Sequence, residues 1–462
     1  MADVSLVNFF LFRSPGPTPF AAMPMGPLYI AASLREAGHI VQFLDHQLCE
    51  APNPYAPEVV ADLLMQAEAD VIGISVMSNM LPFLILGLER FKQRRPNAFI
   101  VLGGSGVSGV APALLKRFAA IDAVIAGEGE DAMIALLRAR RGEVPAAEVG
   151  GMVWRGDDEI RVNPRTPRGT GIDRFPPPAY DILAENRPHY IGQQVLTARG
   201  CPYACVFCDI APNWSRKVTY RDLDQVLDEI AQIRETDAAM GLGATQSGVS
   251  IIDDVFALSE KRVRAFCERV LARQMTFTWS CMCRVDLLDP ALMDLMHQAG
   301  CRRIFLGIES GSPRVRDIAG KGLRIENVEQ MIVECAQRFD TRASFILGFP
   351  FESLDDFRET AFLMAYCLAK GATTQISILS PLPQAELTRS NTDSLVFDPD
   401  LVSAMAFGSH RDNGRDCTRA ALTPDIQELI QSDRQIFSAF YHFRDGLVRE
   451  KMDIAKTYGV KI

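Results

Sequence analysis

Twice along this chain, short apolar runs rich in β-branched residues alternate with longer helical ones, and that alternation leaves few folds open. Parallel neighbouring strands need a crossover of a dozen or more residues, which the intervening helices supply. In the first half the strand signals are Val4–Phe10, Ile40–Leu44, Val71–Ser75, Phe99–Leu102 and Ala123–Ile125. Helical periodicity fills the gaps at Leu28–Ala37, Val59–Ala67, Phe83–Arg94, Ala113–Phe118 and Ala132–Arg140. Five such units predict an α/β domain over residues 1–141, a Rossmann-like doubly wound parallel sheet with its ligand at the C-terminal strand ends. The loops there are Arg13–Met25, Ser75–Met80, Gly103–Gly109 and Gly127–Asp131.

Residues 142–189 read as a linker. It holds a small hairpin, Met152–Trp154 and Glu159–Val162, and then Pro176-Pro177-Pro178, which suits neither a helix interior nor a central strand. Alternation then resumes. Strand signals fall at Gln194–Thr197, Val249–Ile252, Thr276–Cys281, Arg303–Leu306, Ser344–Leu347 and Gln375–Ile378. The helices between them are Leu223–Arg234, Lys261–Arg273, Pro290–Ala299, Val328–Phe339 and Leu354–Lys370. Six βα units predict a parallel sheet curled into a partial, TIM-like (β/α)6 barrel over residues 190–380, with its chemistry at the C-terminal strand ends. Residues 381–462 lose the alternation. They turn helical through Pro424–Phe440 and Arg444–Lys456 and predict a helical cap over the barrel mouth.

The cysteines narrow the function. Eleven in 462 residues is no disulfide scaffold, and Cys267 and Cys335 fall within amphipathic helical patterns as small core residues. Three gather in Arg199-Gly200-Cys201-Pro202-Tyr203-Ala204-Cys205-Val206-Phe207-Cys208, at C-x3-C-x2-C spacing on a loop after the first barrel strand. Zinc would need a fourth protein ligand, for which Cys281 and Cys283 are the available pair. A four-iron cluster held by three thiolates keeps one iron open. Gly104-Ser105-Gly106-Val107-Ser108-Gly109 matches G-x-G-x-x-G but follows the fourth strand, whereas the dinucleotide fingerprint belongs to the first strand–helix turn. It reads as a backbone approach for another bulky ligand, or as a tight turn.

The net charge of −9 offers no basic footprint for bulk nucleic-acid binding. The N-terminus lacks a basic signal-peptide region, and no stretch reaches the roughly 18 uncharged apolar residues of a membrane span. The expectation is a cytoplasmic protein without membrane or nucleic-acid partners.

Cys-Pro-Tyr-Ala-Cys-Val-Phe-Cys resembles the signature of the radical S-adenosylmethionine (SAM) superfamily. Three further stretches agree in order: Ile252-Asp253-Asp254-Val255-Phe256, Gly307-Ile308-Glu309-Ser310-Gly311-Ser312 and Gly348-Phe349-Pro350-Phe351-Glu352-Ser353. The N-terminal sheet, with Met25-Gly26-Pro27-Leu28-Tyr29 and Gly127-Glu128-Gly129-Glu130, is similar to the cobalamin-binding domain of one branch of these enzymes.

The resemblance implies a [4Fe-4S] cluster on Cys201, Cys205 and Cys208, with SAM chelating the open iron. One electron then cleaves SAM to methionine and a 5′-deoxyadenosyl radical, the reductant being a protein such as flavodoxin or ferredoxin. Asp253 and Asp254 become partners of the SAM ammonium, or helix-capping acids. Glu309 ends an apolar strand, where a polar ligand is its natural partner. Arg284 meets the SAM carboxylate or pairs with Asp286. Tyr203 and Phe207 pack beside adenine or shield the cluster, and Gly348 and Pro350 shape the adenine pocket.

For cobalamin, the implied contacts are Ser75, Met77, Asn79, Gly103, Gly104, Gly106, Gly127 and Glu128, although for Met77 core packing is the favoured reading. The chain departs from D-x-H-x-x-G, offering only Asp45-His46, so a bound cobalamin would lack a histidine ligand. His410, Arg411, Arg415 and Arg419 form a basic group that either grips an anionic substrate or is a solvated face. The leading reading is methyl transfer to an unactivated carbon of a small molecule. Cyclisation, oxidation or rearrangement is the first alternative, and a non-catalytic cobalamin or iron–sulfur sensor the second. A methylthiotransferase needs a second cysteine trio, and the N-terminal half has only Cys49.

Overall fold

A computed structural model of the chain describes residues 2–10, 21–169, 171–242, 248–323, 325–402 and 422–459. Much of the Arg13–Met25 loop, and all of the basic group His410, Arg411, Arg415 and Arg419, lie outside the described residues. The chain forms two compact units. One comprises Met1–Ile191, Ser380–Thr392 and Phe397–Tyr441, the other Gly192–Leu379, Asp393–Val396 and His442–Ile462.

The first unit is built on a seven-stranded sheet. In chain order its strands are β1 (Val4–Phe9), β2 (Val41–Asp45), β3 (Val71–Val76), β4 (Phe99–Gly103), β5 (Ala123–Ile125), β6 (Met152–Arg155) and β7 (Ile160–Val162). Their spatial order is 2-1-3-4-5-6-7, with β1–β5 parallel. The order reverses between β1 and β3, the switch point where doubly wound sheets open a ligand crevice. Helices Met25–Glu36 and Glu130–Arg140 cover one face, burying Leu34, Leu136 and Leu137 against Leu6 and Val101.

One expectation changes here. The hairpin expected within the linker is part of the sheet, because β6 pairs antiparallel with β5 and β7 with β6. Main-chain hydrogen bonds from an otherwise open edge capture it, as edge strands tend to do.

The second unit holds six parallel strands: β8 (Gln193–Val195), β11 (Val249–Ile251), β12 (Trp279–Cys283), β13 (Cys301–Glu309), β14 (Asp340–Leu347) and β15 (Thr373–Ile378). Each pairs with its sequence neighbour, and β8 and β15 are the two edges, so this is an open arc of βα units. Two short strands, β9 (Ala198–Arg199) and β10 (Thr219–Tyr220), form a separate antiparallel pair after β8. Trp279 fixes which face looks outward to the helices. Its ring packs 5.5 Å from both Phe256 and Phe266, and its Nε1 donates to Ala299 O at 2.8 Å. Burying a side chain of that size contributes roughly 3 kcal/mol. The strand starts at Trp279 rather than at Thr276, whose carbonyl instead accepts from Arg234.

The tail also differs from expectation. The helix expected through Phe440 stops at Gln431, where Asp433 accepts from the Gln435 and Ile436 amides and so diverts the chain. Nor is the tail one cap. Phe437 and Phe440 pack on Phe118 and Phe83 in the first unit. In the second, β17 (His442–Phe443) pairs with β16 (Leu395–Val396), and helix Val448–Thr457 follows.

Candidate active site

β8 and β11 lie side by side with Val195 opposite Ile251, so the residues that follow the two strands meet. Asp253 accepts from the Thr197 amide at 2.6 Å, the Ala198 amide at 2.9 Å and the Thr197 hydroxyl. Asp254 accepts from Gly200 N–H at 2.8 Å. The two carboxylates thus clamp the backbone that leads into the cysteine loop. This revises the expected role of Asp253: it is 1% exposed and both oxygens are engaged, leaving no face for a SAM ammonium.

Burial pushes the Asp253 carboxyl up to about 6, against the pull of its donors and of Arg262. Between the ordinary 3.8 and about 6 the folded chain therefore keeps a proton that the unfolded chain has released. This group's contribution to stability falls as pH rises through that window and is constant above it. Asp253→Asn should flatten that part of the stability profile, read by thermal unfolding of the metal-free chain across the window. An unchanged slope would count against this account.

The β9–β10 pair closes the base of the loop, and the three thiols stand half-buried along it. Cys208 Sγ accepts from Ile210 N–H at 3.4 Å, and Cys205 Sγ lies 3.7 Å from Gly320 O. Burial raises all three thiols, Cys208 to about 12. Among the described residues, no three His, Cys, Asp or Glu side chains converge as a single metal ion requires. In a four-iron cube each thiolate takes a different iron, so short-loop thiols with an amide aimed at sulfur fit that donor set. Cys281 and Cys283, the pair considered for zinc, are buried with their sulfurs 3.6 Å from each other.

A second segment, which sequence reasoning missed, braces the loop. Val206 N–H donates to Ala319 O at 3.0 Å. Gly320 (φ +73°) lies so close that a Cβ there would fall 2.7 Å from Ala204 O. Next along, Lys321 places Nζ 2.9 Å from Glu309 Oε1, both side chains nearly buried. Glu309 has φ +69° at a register shift in β13, a costly backbone state for a non-glycine residue. The contorted backbone aims its carboxylate inward, so the charge expected to await a ligand already has a cationic neighbour.

Arg284 pairs with Asp286 at 2.9 Å, donates to Lys321 O at 2.7 Å and stacks 3.8 Å over the Tyr203 ring. It is 4% exposed, yet its Nη1 has no hydrogen-bond partner among the described residues. A buried guanidinium nitrogen left open beside the cysteine loop suits an anionic group such as a carboxylate. Arg284 and Lys321 both draw the Cys205 thiol toward its charged form, while Glu309 opposes them. Phe207 meets Phe349 edge-on at 5.6 Å, covering one side of the loop. Gly348 (φ +100°) and Pro350 carry the chain through the bend after β14.

In the first unit, Gly104 and Gly106 serve a close backbone approach. A Cβ on Gly106 would lie 2.0 Å from Ser78 N, and one on Gly104 2.7 Å from Val76 O. The glycines therefore let the loops after β3 and β4 press together, and those joined loops form the edge available to a ligand. At Gly103, by contrast, an added Cβ would meet nothing within 4 Å among the described residues beyond its chain neighbours. Ser75 is the one half-buried residue of β3, and Met77 is 46% exposed, which overturns the core packing expected of it. Asn79 is buried with its Nδ2 unpartnered among the described residues. Gly127 (φ +112°) turns the chain before Glu128, which pairs with Arg168 at 3.1 Å. His46 is fully buried, its Nδ1 3.1 Å from Phe10 O and its Nε2 2.8 Å from Pro54 O, so neither ring nitrogen is open to a metal. Exposed Met77, unpartnered Asn79 and open Gly103 gather at the strand ends beside the switch point, a cradle that fits a large planar ligand.

Residues 195–364 match the Radical SAM superfamily, and residues 18–137 match the B12 binding domain. An uncharacterized methyltransferase of Pyrococcus horikoshii is 27% identical over 344 residues, covering 73% of this chain and 72% of that protein. An anaerobic magnesium-protoporphyrin IX monomethyl ester cyclase of Rubrivivax gelatinosus is 26% identical, covering 81% and 67%. The radical SAM methyltransferase TsrM from Kitasatospora setae, solved with tryptophan and a SAM analogue, superposes with a TM-score of 0.70 at 18% identity, covering 98% of this chain and 88% of that one. The cobalamin-dependent enzyme OxsB, solved with aqua-cobalamin and SAM, gives a TM-score of 0.71 at 18% identity, covering 99% and 67%. At these identities the two structures establish a shared fold.

Proposed function

Because this chain belongs to the radical SAM superfamily and carries a B12-binding domain ahead of its radical SAM domain, we propose that it transfers a methyl group to an unactivated carbon of a small molecule. The cofactors are a [4Fe-4S] cluster, SAM and cobalamin. Bound together, they supply a carbon-centred radical from SAM and a methyl group that can be passed on. The observation that carries this reading is the half-buried cysteine trio with the open Arg284 nitrogen beside it.

The chain's own residues do the rest. Cys201, Cys205 and Cys208 would hold the cluster, and the clamp of Asp253 and Asp254 fixes the loop's entry. Arg284 offers Nη1 to the SAM carboxylate, and Glu309 offers its carboxylate to the ammonium once Lys321 shares it. Phe207 and Tyr203 keep water from the loop, while Gly348 and Pro350 border the adenine. Ser75, Met77, Asn79 and Gly103, with the loop edge shaped by Gly104 and Gly106 and with Gly127 and Glu128 beside it, would hold cobalamin, and His46, with both ring nitrogens engaged, would take no part. A flavodoxin or ferredoxin supplies the electron. The cytoplasm, where thiols stay reduced, is the compartment that suits such a site, and no described helix is long and apolar enough to cross a membrane. TsrM, which shares the fold, was solved with a small molecule, tryptophan, and that supports a substrate of similar size here.

The test is anaerobic reconstitution with iron, sulfide and hydroxocobalamin, followed by dithionite and SAM labelled at its methyl group. Expected are a corrin absorbance band that survives gel filtration, formation of 5′-deoxyadenosine, and label on the corrin. Absence of 5′-deoxyadenosine would overturn the radical reading. A corrin that never takes the label would point instead to ring closure, as in the cyclase relative.

A further inference from the structure

Behind the bend after β14 lies a buried ion pair for which the reaction has given no use. Phe349-Pro350-Phe351-Glu352 is a β-turn, closed by Glu352 N–H donating to Phe349 O at 3.2 Å, with proline at its second position. Helix Val448–Thr457 sends Lys451 to both ends of this turn. Its Nζ lies 2.8 Å from Glu352 Oε2 and 3.5 Å from Phe349 O, and neither side chain of the pair is exposed.

The approach to this helix is equally tight. A Cβ on Gly446 would fall 2.6 Å from Gly348 O. From the other side Arg314 Nη2 donates to Phe351 O at 2.6 Å. The turn in turn touches the cysteine loop, since Phe349 stacks on Phe351 at 5.3 Å and meets Phe207 edge-on.

A buried pair of this kind is weak evidence for stability, because desolvation consumes much of what the attraction returns. What the pair does supply is a fixed distance between two ends of a turn.

We propose that Lys451 is a positioning residue for SAM: by gripping both ends of the Phe349–Glu352 turn, it sets Gly348 and Pro350 against the adenosyl group and Phe349 against the cysteine loop. This rests on the reading that SAM binds at the cysteine-held cluster with its adenine beside Gly348 and Pro350. Lys451 lies beyond the stretch matched to the superfamily, residues 195–364, whereas the turn that it grips lies within it.

The test uses reconstituted full-length protein and SAM itself as the probe. Lys451→Met/Glu352→Gln removes both buried charges together, so the fold has no orphaned ion to expel. It should keep full iron and sulfide content and a near-normal melting temperature. SAM affinity, read from the change SAM makes in the electron paramagnetic resonance (EPR) spectrum of the reduced cluster, should fall roughly ten- to a hundredfold. Wild-type affinity in that variant would overturn the proposal.

A second measurement needs no variant. Adding SAM to wild-type protein should slow amide exchange across residues 446–452 together with 348–352, and unchanged exchange in the first stretch would overturn the proposal as well. The outcomes separate it from the functional reading. A wild-type cluster that ignores SAM sinks both, whereas a responsive wild type with an equally responsive variant sinks Lys451 alone.

Discussion

Cys205→Ala should leave a folded protein that no longer cleaves SAM. The thiol is small and half-buried, so its removal disturbs little packing, and the melting temperature of the metal-free chain should hardly move. Iron and sulfide content should fall with the ligand. Formation of 5′-deoxyadenosine should drop on the order of a thousandfold or more, the scale on which removal of an indispensable catalytic group registers. Cys205 is the most informative of the three. It lies against Gly320, and Lys321 and Arg284 both act on its charge. A variant that kept its cluster and its turnover would mean that the loop is not the iron site.

Gly106→Ala should have the complementary effect, confined to the first unit. Its new Cβ would sit 2.0 Å from Ser78 N and 2.3 Å from Met77 C, and backbone cannot retreat as a flexible side chain would. The loops after β3 and β4 must part, at a cost of about 1–3 kcal/mol or more in that unit. Corrin uptake should fall at least tenfold, while the cluster and SAM cleavage persist. Gly103→Ala separates folding from binding, because among the described residues nothing beyond its chain neighbours lies within 4 Å of the added carbon. Normal stability with reduced corrin uptake would report a ligand in that open space. Normal uptake in both variants would remove these glycines from the cobalamin site.

The topology was legible because crossover connections dictate it: alternation alone led to a doubly wound sheet and an open arc of six βα units. Edges were harder, since they depend on partners distant in sequence. The hairpin of β6 and β7 joined the sheet because β5 offered an unpaired edge, and Asp433 broke a helix whose apolar spacing ran on past it.

In the site, spacing alone drew the three cysteines onto one loop, and the departure from D-x-H-x-x-G argued against a histidine ligand, though not for the burial of His46. The clamp formed by Asp253 could not be read from spacing, because it exists only when β8 and β11 lie in register. Lys321 sits twelve residues beyond Glu309 on a segment with no signature of its own. Lys451 reaches Phe349 from 102 residues away, a separation that no local pattern encodes.

The division of the tail has a consequence for how the protein is made. The seven strands of the first unit are all present once Val162 has been synthesised, and domains fold as they emerge. The second unit still lacks β17 and the helix bearing Lys451 until the residues after Tyr441 have left the ribosome. The first unit also closes on late residues, since Ser380–Thr392 and Phe397–Tyr441 belong to it. Both units therefore gain their last elements only after β15 has emerged, and translation order ties the completion of one to that of the other.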